Sequence, residues 1–262
     1  MQLEQVTSKV VEIAKQAGAF IREQRKTFSA DQIEIKGLND LVSYVDKTAE
    51  QIIVAALEKV LPEAGFLTEE KTINKKGEKY NWIIDPLDGT TNFIHGLPVF
   101  SVSIALQEDE ELILGVVYEV NQDECFYAWQ GSAAYMNGNV IKVSDNKTIN
   151  KSLLATGFPY YDFEKQPAYI ALFTELMKSC HGLRRLGSAA VDLAYTACGR
   201  FDGYYEYNLN PWDVAGGIVI LRQAGGDAVN FKGGQECLNT RELLATNGKI
   251  TQEMLDAIQK YF

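Results

Sequence analysis

The chain has 262 residues, 46% of them hydrophobic and 23% charged, and its 25 Lys and Arg stand against 35 Asp and Glu for a net charge of −10. That length allows one large domain or two modest ones and buries a core that needs no disulfide or metal staple. So acidic a chain is a poor partner for nucleic-acid backbones or anionic lipid, and neither is expected; an anionic substrate would need a local reversal of the field, which a bound divalent cation supplies.

Residues 3–26 form the first expected helix, with Leu3, Val6, Val10, Ile13, Ala17 and Phe20 at three- and four-residue steps. Glu4, Lys9, Glu12 and Lys15 interrupt any apolar signal-peptide core. A turn at 36–40 leads to a second helix from about Lys47 to Val60, and the four lysines between Lys71 and Lys79 mark a solvated loop. Short strands are expected at 81–85, 100–107, 112–120, 124–129 and 140–143. The later half alternates more evenly: strand 152–156, helix 167–180, strand 183–186, helix 188–199, strand 201–206, helix 212–224, strands 227–231 and 243–246, and helix 250–261. Gly199 and Gly225-Gly226 fall at expected helix C-termini. Hairpins followed by βαβ-like alternation imply an α/β or α+β layered architecture. We read one compact unit over 1–262, softly divided near 145–151 into a metal-gathering half (1–148) and a substrate-side half (149–262).

Cys125, Cys180, Cys198 and Cys237 form no C-x-x-C pair, and only two histidines are present. A structural zinc site is therefore not expected, and the sparse thiols suit a reducing compartment. No stretch approaches the ~18 apolar residues of a membrane span, so the expectation is a full-length cytoplasmic protein.

The chemistry concentrates in Trp82-Ile83-Ile84-Asp85-Pro86-Leu87-Asp88-Gly89-Thr90-Thr91-Asn92-Phe93. An apolar strand runs into Asp85, where Pro86 removes a backbone donor and should end it. Asp88 and a cap-like Gly-Thr-Thr-Asn follow, bringing two carboxylates beside free backbone N–H groups. Carboxylates collect hard cations, and N–H groups at a helix start collect phosphate. Alone, D-x-x-D-G-T reads equally well as a tight turn. Two further acidic sites shift the balance: Glu69-Glu70, after apolar Phe66-Leu67, and Asp213, which opens a glycine-bearing apolar helix and is by itself an ordinary cap.

Trp82 to Phe93 resembles the first motif of the inositol monophosphatase family of magnesium-dependent, lithium-sensitive phosphatases. Trp212-Asp213-Val214-Ala215-Gly216-Gly217, with Ala224-Gly225-Gly226, is similar to the second. Glu69-Glu70 match the family's Gly-Glu-Glu, with Thr68 in place of the usual Gly. The resemblance extends over nearly the whole chain and implies an αβαβα sandwich of the inositol monophosphatase and fructose bisphosphatase type. It implies two to three Mg²⁺ held by Glu69, Asp85, the Leu87 carbonyl, Asp88 and Asp213. Thr90 and Asp46 would activate the attacking water, with Glu69 also touching it. Substrate phosphate would rest on Gly89 and Thr90, and Asp213 would face the leaving oxygen. Lys36 and Asp40 match a loop near a third metal, or a plain surface turn.

On the substrate side the resemblance implicates Glu206, seven residues before Asp213, together with Ser188 and Ala189 of Gly187-Ser188-Ala189-Ala190. Ser188 is also a good helix cap, and Glu206 also reads as a strand-end acid. Arg184 is assigned to substrate, with salt bridging by Arg184-Arg185 as an equal alternative. Thr91-Asn92, where nucleotide-specific relatives carry Lys after the first Thr, favours inositol and sugar phosphates; fructose bisphosphate and broader sugar or nucleotide phosphates remain alternatives. Covalent phosphatase chemistry fits poorly: four residues separate Cys180 from Arg185 where a cysteine phosphatase needs five, His95 is preceded by Ile94 rather than Arg, and D-x-x-D is not the D-x-D of aspartyl-phosphate enzymes. The resemblance further implies a homodimer acting on a small phosphate ester. A reading of another class, an accessory binding partner in RNA synthesis, follows from one bacterial relative.

Overall fold

The computed structural model describes residues 2–29, 33–37, 40–158 and 163–262, with the backbone alone for 33–37 and 40–42. Helix α1 (Leu3–Arg25) follows its apolar recurrence and buries Val10, Ala14, Ala17 and Ile21. Strands β1 (Ile33–Gly37) and β2 (Asp40–Ser43) pair antiparallel, so a hairpin replaces the expected simple turn. Helix α2 (Tyr44–Val60) starts three residues earlier than its apolar pattern suggests, because Ser43 caps it. The Ser43 hydroxyl accepts from the Val45 N–H, while the Ser43 N–H and Oγ donate to Asp46 Oδ2 at 2.8 and 2.7 Å.

Seven strands follow: β3 (Gly65–Thr68), β4 (Tyr80–Asp88) and, after the short helix α3 (Thr90–His95), β5 (Ser101–Glu108), β6 (Glu111–Glu119), β7 (Glu124–Trp129), β8 (Ala134–Met136) and β9 (Asn139–Ile141). They form one sheet in chain order, parallel only between β3 and β4. The sequence reading misses β3, β8 and the separate α3. It also ends β4 at Asp85, whereas the strand continues through Pro86 to Asp88. The register shifts there: Asp85 faces Ser103 and Asp88 faces Ser101, a bulge at which the missing proline N–H costs no ladder bond.

The second sheet holds β10 (Leu153–Thr156), β11 (Gly182–Arg184), β12 (Gly203–Tyr207), β13 (Asp227–Val229) and β14 (Glu242–Thr246) in the order β11-β10-β12-β14-β13. Between these strands run α4 (Gln166–Ser179), α5 (Ala189–Ala197), α6 (Pro211–Gln223) and α7 (Cys237–Thr240), and α8 (Thr251–Ile258) closes the chain. Helices α1 and α2 cover one face of the first sheet, α5 and α6 lie between the sheets, and α4 and α8 cover the outer face of the second. This is the expected αβαβα sandwich. Because helices cover both faces of β4, β5 and β6, those strands are almost continuously buried rather than alternating. The middle helix sits close: a Cβ on Gly115 would meet the Gly216 carbonyl oxygen at 2.3 Å.

Candidate active site

Parallel pairing of β3 with β4 sets Thr68 opposite Ile84, so the next residues, Glu69 and Asp85, emerge side by side; the Glu69 N–H still reaches the Ile84 carbonyl. The β4 bulge then aims Leu87 and Asp88 at the same space. Gly89 adopts φ +96°, a left-handed conformation that suits glycine, and caps α3. Asp213 arrives from the other side as the third residue of α6. Asn210 is the cap there, and its N–H donates to Asp213 Oδ2 at 2.7 Å, so the expectation of Asp213 as the cap itself is corrected. Glu69, Asp85, Leu87, Asp88, Gly89, Thr90 and Asp213 line one cavity of about 150 Å³, and Ser188, Ala189 and Glu206 line its opposite wall.

Asp46 lies just behind the cavity, 1% exposed. Its Oδ1 is 3.0 Å from Thr90 Oγ1, which is also 3.0 Å from the Leu87 carbonyl. The hydroxyl has one proton, so donation to one oxygen leaves its lone pairs for another donor. Gly89, not Thr90, is the α3 cap. Burial raises the Asp46 carboxyl above its usual range, opposed by the Ser43 and Thr90 hydrogen bonds.

Asp85 is raised well above the carboxylate range by burial and by the charges of Glu69, Asp88 and Asp213. Glu69 is raised well above it by burial and by Asp213 and Glu70. Burial pushes Asp213 up to about 8, against the pull of the Asn210 N–H. It pushes Asp88 up to about 6, partly offset by the Ser188 hydroxyl and the Ala190 N–H, which donate to Oδ2 at 2.5 and 2.8 Å. Among the described residues no three Asp, Glu, His or Cys side chains meet in a closed metal-holding group. The donor set nevertheless fits a hard cation: four carboxylates and a carbonyl, all oxygen, crowd one cavity in which their own repulsion favours neutral forms. A divalent cation is the charge that relieves it.

Two substrate-side expectations change. Arg184 stands outside the cavity: it is exposed at the end of β11, with Nη1 donating to the Leu183 carbonyl. Its neighbour Arg185, the first residue past β11, lines the cavity instead, with its guanidinium 5.4 Å from the Phe158 ring centre. Ser188 is 1% exposed, and its hydroxyl proton is committed to Asp88, so it orients that carboxylate and caps α5. Glu206 accepts from the Tyr204 hydroxyl at 2.5 Å, and burial pushes it up to about 7. It presses on Gly157, where a Cβ would lie 1.8 Å from Oε2. Sequence reasoning misses Asp192, a buried cavity-lining carboxylate raised well above its usual range by burial. The available signal was its place four residues after Ser188, on the same face of α5. The side chains of Lys36 and Asp40 lie outside the described residues.

A five-layer αβαβα sandwich with an acid-lined cavity where the first sheet meets the α5 and α6 N-termini defines a phosphatase of a known kind. Residues 2–261 match the inositol monophosphatase family, and the chain belongs to it. It is 37% identical over 252 residues to an inositol-1-monophosphatase of Mesorhizobium japonicum, covering 96% of this chain and 95% of that protein. It is 39% identical over 246 residues to the Nus factor SuhB of Escherichia coli, covering 94% and 92%. The structure of an inositol monophosphatase from Anabaena superposes with a TM-score of 0.88 at 35% identity, covering 100% and 98% of the two chains. None of the described helices is long and apolar enough to cross a membrane.

Proposed function

We propose that the chain hydrolyses inositol monophosphate to inositol and phosphate with two to three Mg²⁺ per site, using water rather than a protein nucleophile. The observation that carries this is the meeting of Glu69, Asp85, Asp88 and Asp213 at one cavity whose edge holds the Thr90–Asp46 pair. Glu69, Asp85, Asp88, Asp213 and the Leu87 carbonyl would hold the cations. When bound, they would polarise the ester and lower the pKa of the attacking water.

The chain's own residues direct the rest. Thr90 Oγ1 receives the proton of the attacking water while its own proton passes to Asp46 Oδ1. Glu69, beside the same space, orients that water. Phosphoryl oxygens rest on the N–H groups of Gly89 and Thr90 as the P–O bond to the alcohol breaks, and the leaving oxygen departs on the Asp213 side, taking a proton from solvent. Glu206, braced by Tyr204, accepts from a ring hydroxyl, and Arg185 takes the place first given to Arg184. Inhibition by millimolar-scale Li⁺, a cytoplasmic location and a homodimer complete the proposal; equilibrium sedimentation decides the last.

Phosphate release from inositol, fructose and adenosine phosphates, with Mg²⁺ supplied and withdrawn, tests the reading. The expected result is Mg²⁺-dependent release that is fastest from inositol monophosphate. A faster rate on fructose bisphosphate would move the substrate within the same chemistry, and silence on every ester would overturn the proposal. The relatives named Nus factor SuhB favour a second reading, an accessory binding role, for which recovery of transcription proteins with the intact chain is the measurement.

A further inference from the structure

Among the buried acids that the mechanism does not use, Glu50 packs against the residues that it does use. Glu50 lies on α2 four residues after Asp46, on the same helix face, and is 0% exposed. It does not line the acid-rich cavity. Its carboxylate instead gathers four donors from one short segment. Oε1 accepts from the Thr68 hydroxyl at 2.9 Å and from the Thr72 N–H and hydroxyl, both at 2.7 Å, and Oε2 accepts from the Glu70 N–H at 2.7 Å. These donors flank Glu69 on both sides. Beyond Thr68 the chain leaves β3 and has no regular secondary structure until Tyr80, so the strand ladder reaches no further than the 3.3 Å bond from the Glu69 N–H to the Ile84 carbonyl. Lys71 lies at φ +55°, a left-handed conformation for a non-glycine residue. A segment of that kind keeps one shape only when its surroundings over-determine it.

Thr68 adds a departure from the resembled motif. It stands where the resembled motif has glycine, and it is 4% exposed. Glycine has no side-chain donor to offer. The substitution that departs from the motif therefore supplies one of the four bonds to Glu50.

We propose that Glu50 and Thr68 form a buried brace that positions Glu69 at the cavity, so that α2 sets both the Thr90–Asp46 pair and the Glu69 loop from one face. Glu50 is a positioning residue, because it touches neither substrate nor the reacting atoms. The catalytic consequence rests on the phosphatase reading above; the brace itself does not.

The test uses the full chain with Glu50→Gln and Thr68→Val. In the metal-free protein, Glu50→Gln should speed amide exchange at Glu70 and Thr72 by at least ~10-fold, with the acceleration confined to 68–72. By calorimetry, Mg²⁺ affinity should fall roughly 10- to 100-fold, while kcat at saturating Mg²⁺ changes much less than the Mg²⁺ dependence. Thr68→Val should move both readouts in the same direction by a smaller factor. Folded variants with wild-type exchange and wild-type Mg²⁺ affinity overturn the proposal. So does acceleration spread over α2 and the sheet, which would make Glu50 a general stabiliser. If Glu50→Gln does not fold, Thr68→Val decides by the same criteria. If the wild-type chain releases no phosphate from any ester, the functional reading falls, while exchange and calorimetry still decide the brace.

Discussion

Gly157 shows how tightly a single residue can govern this site. Its hydrogen leaves just enough room for the Glu206 carboxylate, since a Cβ would intrude to 1.8 Å of Oε2. Gly157→Ala must displace Glu206 from Tyr204 without touching the acids across the cavity. The expected outcome is a rise in KM for inositol monophosphate of about 10-fold or more, the scale of one lost hydrogen bond to a charged group, with Mg²⁺ affinity unchanged; steady-state kinetics against both ligands checks it. Asp213 gives the complementary case. Asp213→Asn removes a charge from a crowded set of acids but keeps an acceptor for the Asn210 N–H. Mg²⁺-dependent phosphate release should drop at least ~100-fold, while above pH 8, where burial no longer keeps the Asp213 carboxyl protonated, the metal-free protein should melt no lower than wild type, because a repulsive buried charge has gone. Activity within a few-fold of wild type would remove Asp213 from the proposed cation site.

At the scale of elements, close packing of α6 against the first sheet depends on missing side chains. Gly115→Ala would press a methyl to 2.3 Å of the Gly216 carbonyl, a backbone atom that cannot swing aside. We expect a loss of roughly 1–3 kcal/mol, seen as a lower denaturation midpoint with an unchanged slope. The same elements show what the sequence could and could not convey. The acids were legible through the motifs around them, since D-x-x-D-G-T and an Asp near a helix start are each ordinary turn or cap chemistry when taken alone. The continuation of β4 past Pro86 was not, because a bulge is set by the register of the partner strand and leaves no mark in its own residues. Strand β3 is only four residues long, and a lysine-rich loop follows it. Arg184 and Arg185 were indistinguishable in sequence, since which one faces the cavity depends on where β11 ends. Glu50 carried a readable hint, its four-residue spacing from Asp46, but its partners lie 18 to 22 residues away.

At the scale of the whole molecule, the fold holds a strained charge distribution at the meeting point of its layers. The sheets and helices bury Asp88, Glu206 and Asp213 with carboxyls raised to about 6, 7 and 8, by burial first in each case. A carboxyl raised on folding binds more protons in the native than in the unfolded chain at any pH between the two pKa values. Stability therefore falls as pH rises across that interval. Its onset lies near the unfolded value of about 4, and the loss is complete once pH has passed the highest folded value. The metal-free protein should thus show a Tm that declines from about pH 4 to above pH 8, opposite in sign to a protein whose acids are salt-bridged. Cation binding lowers the native pKa values and adds binding free energy to the folded state alone. Excess Mg²⁺ should raise Tm most at the alkaline end and flatten the curve. Thermal melts in chelator and in Mg²⁺ across that range make the measurement, and a metal-free Tm that rises toward pH 8 would contradict the proposed cluster of buried acids.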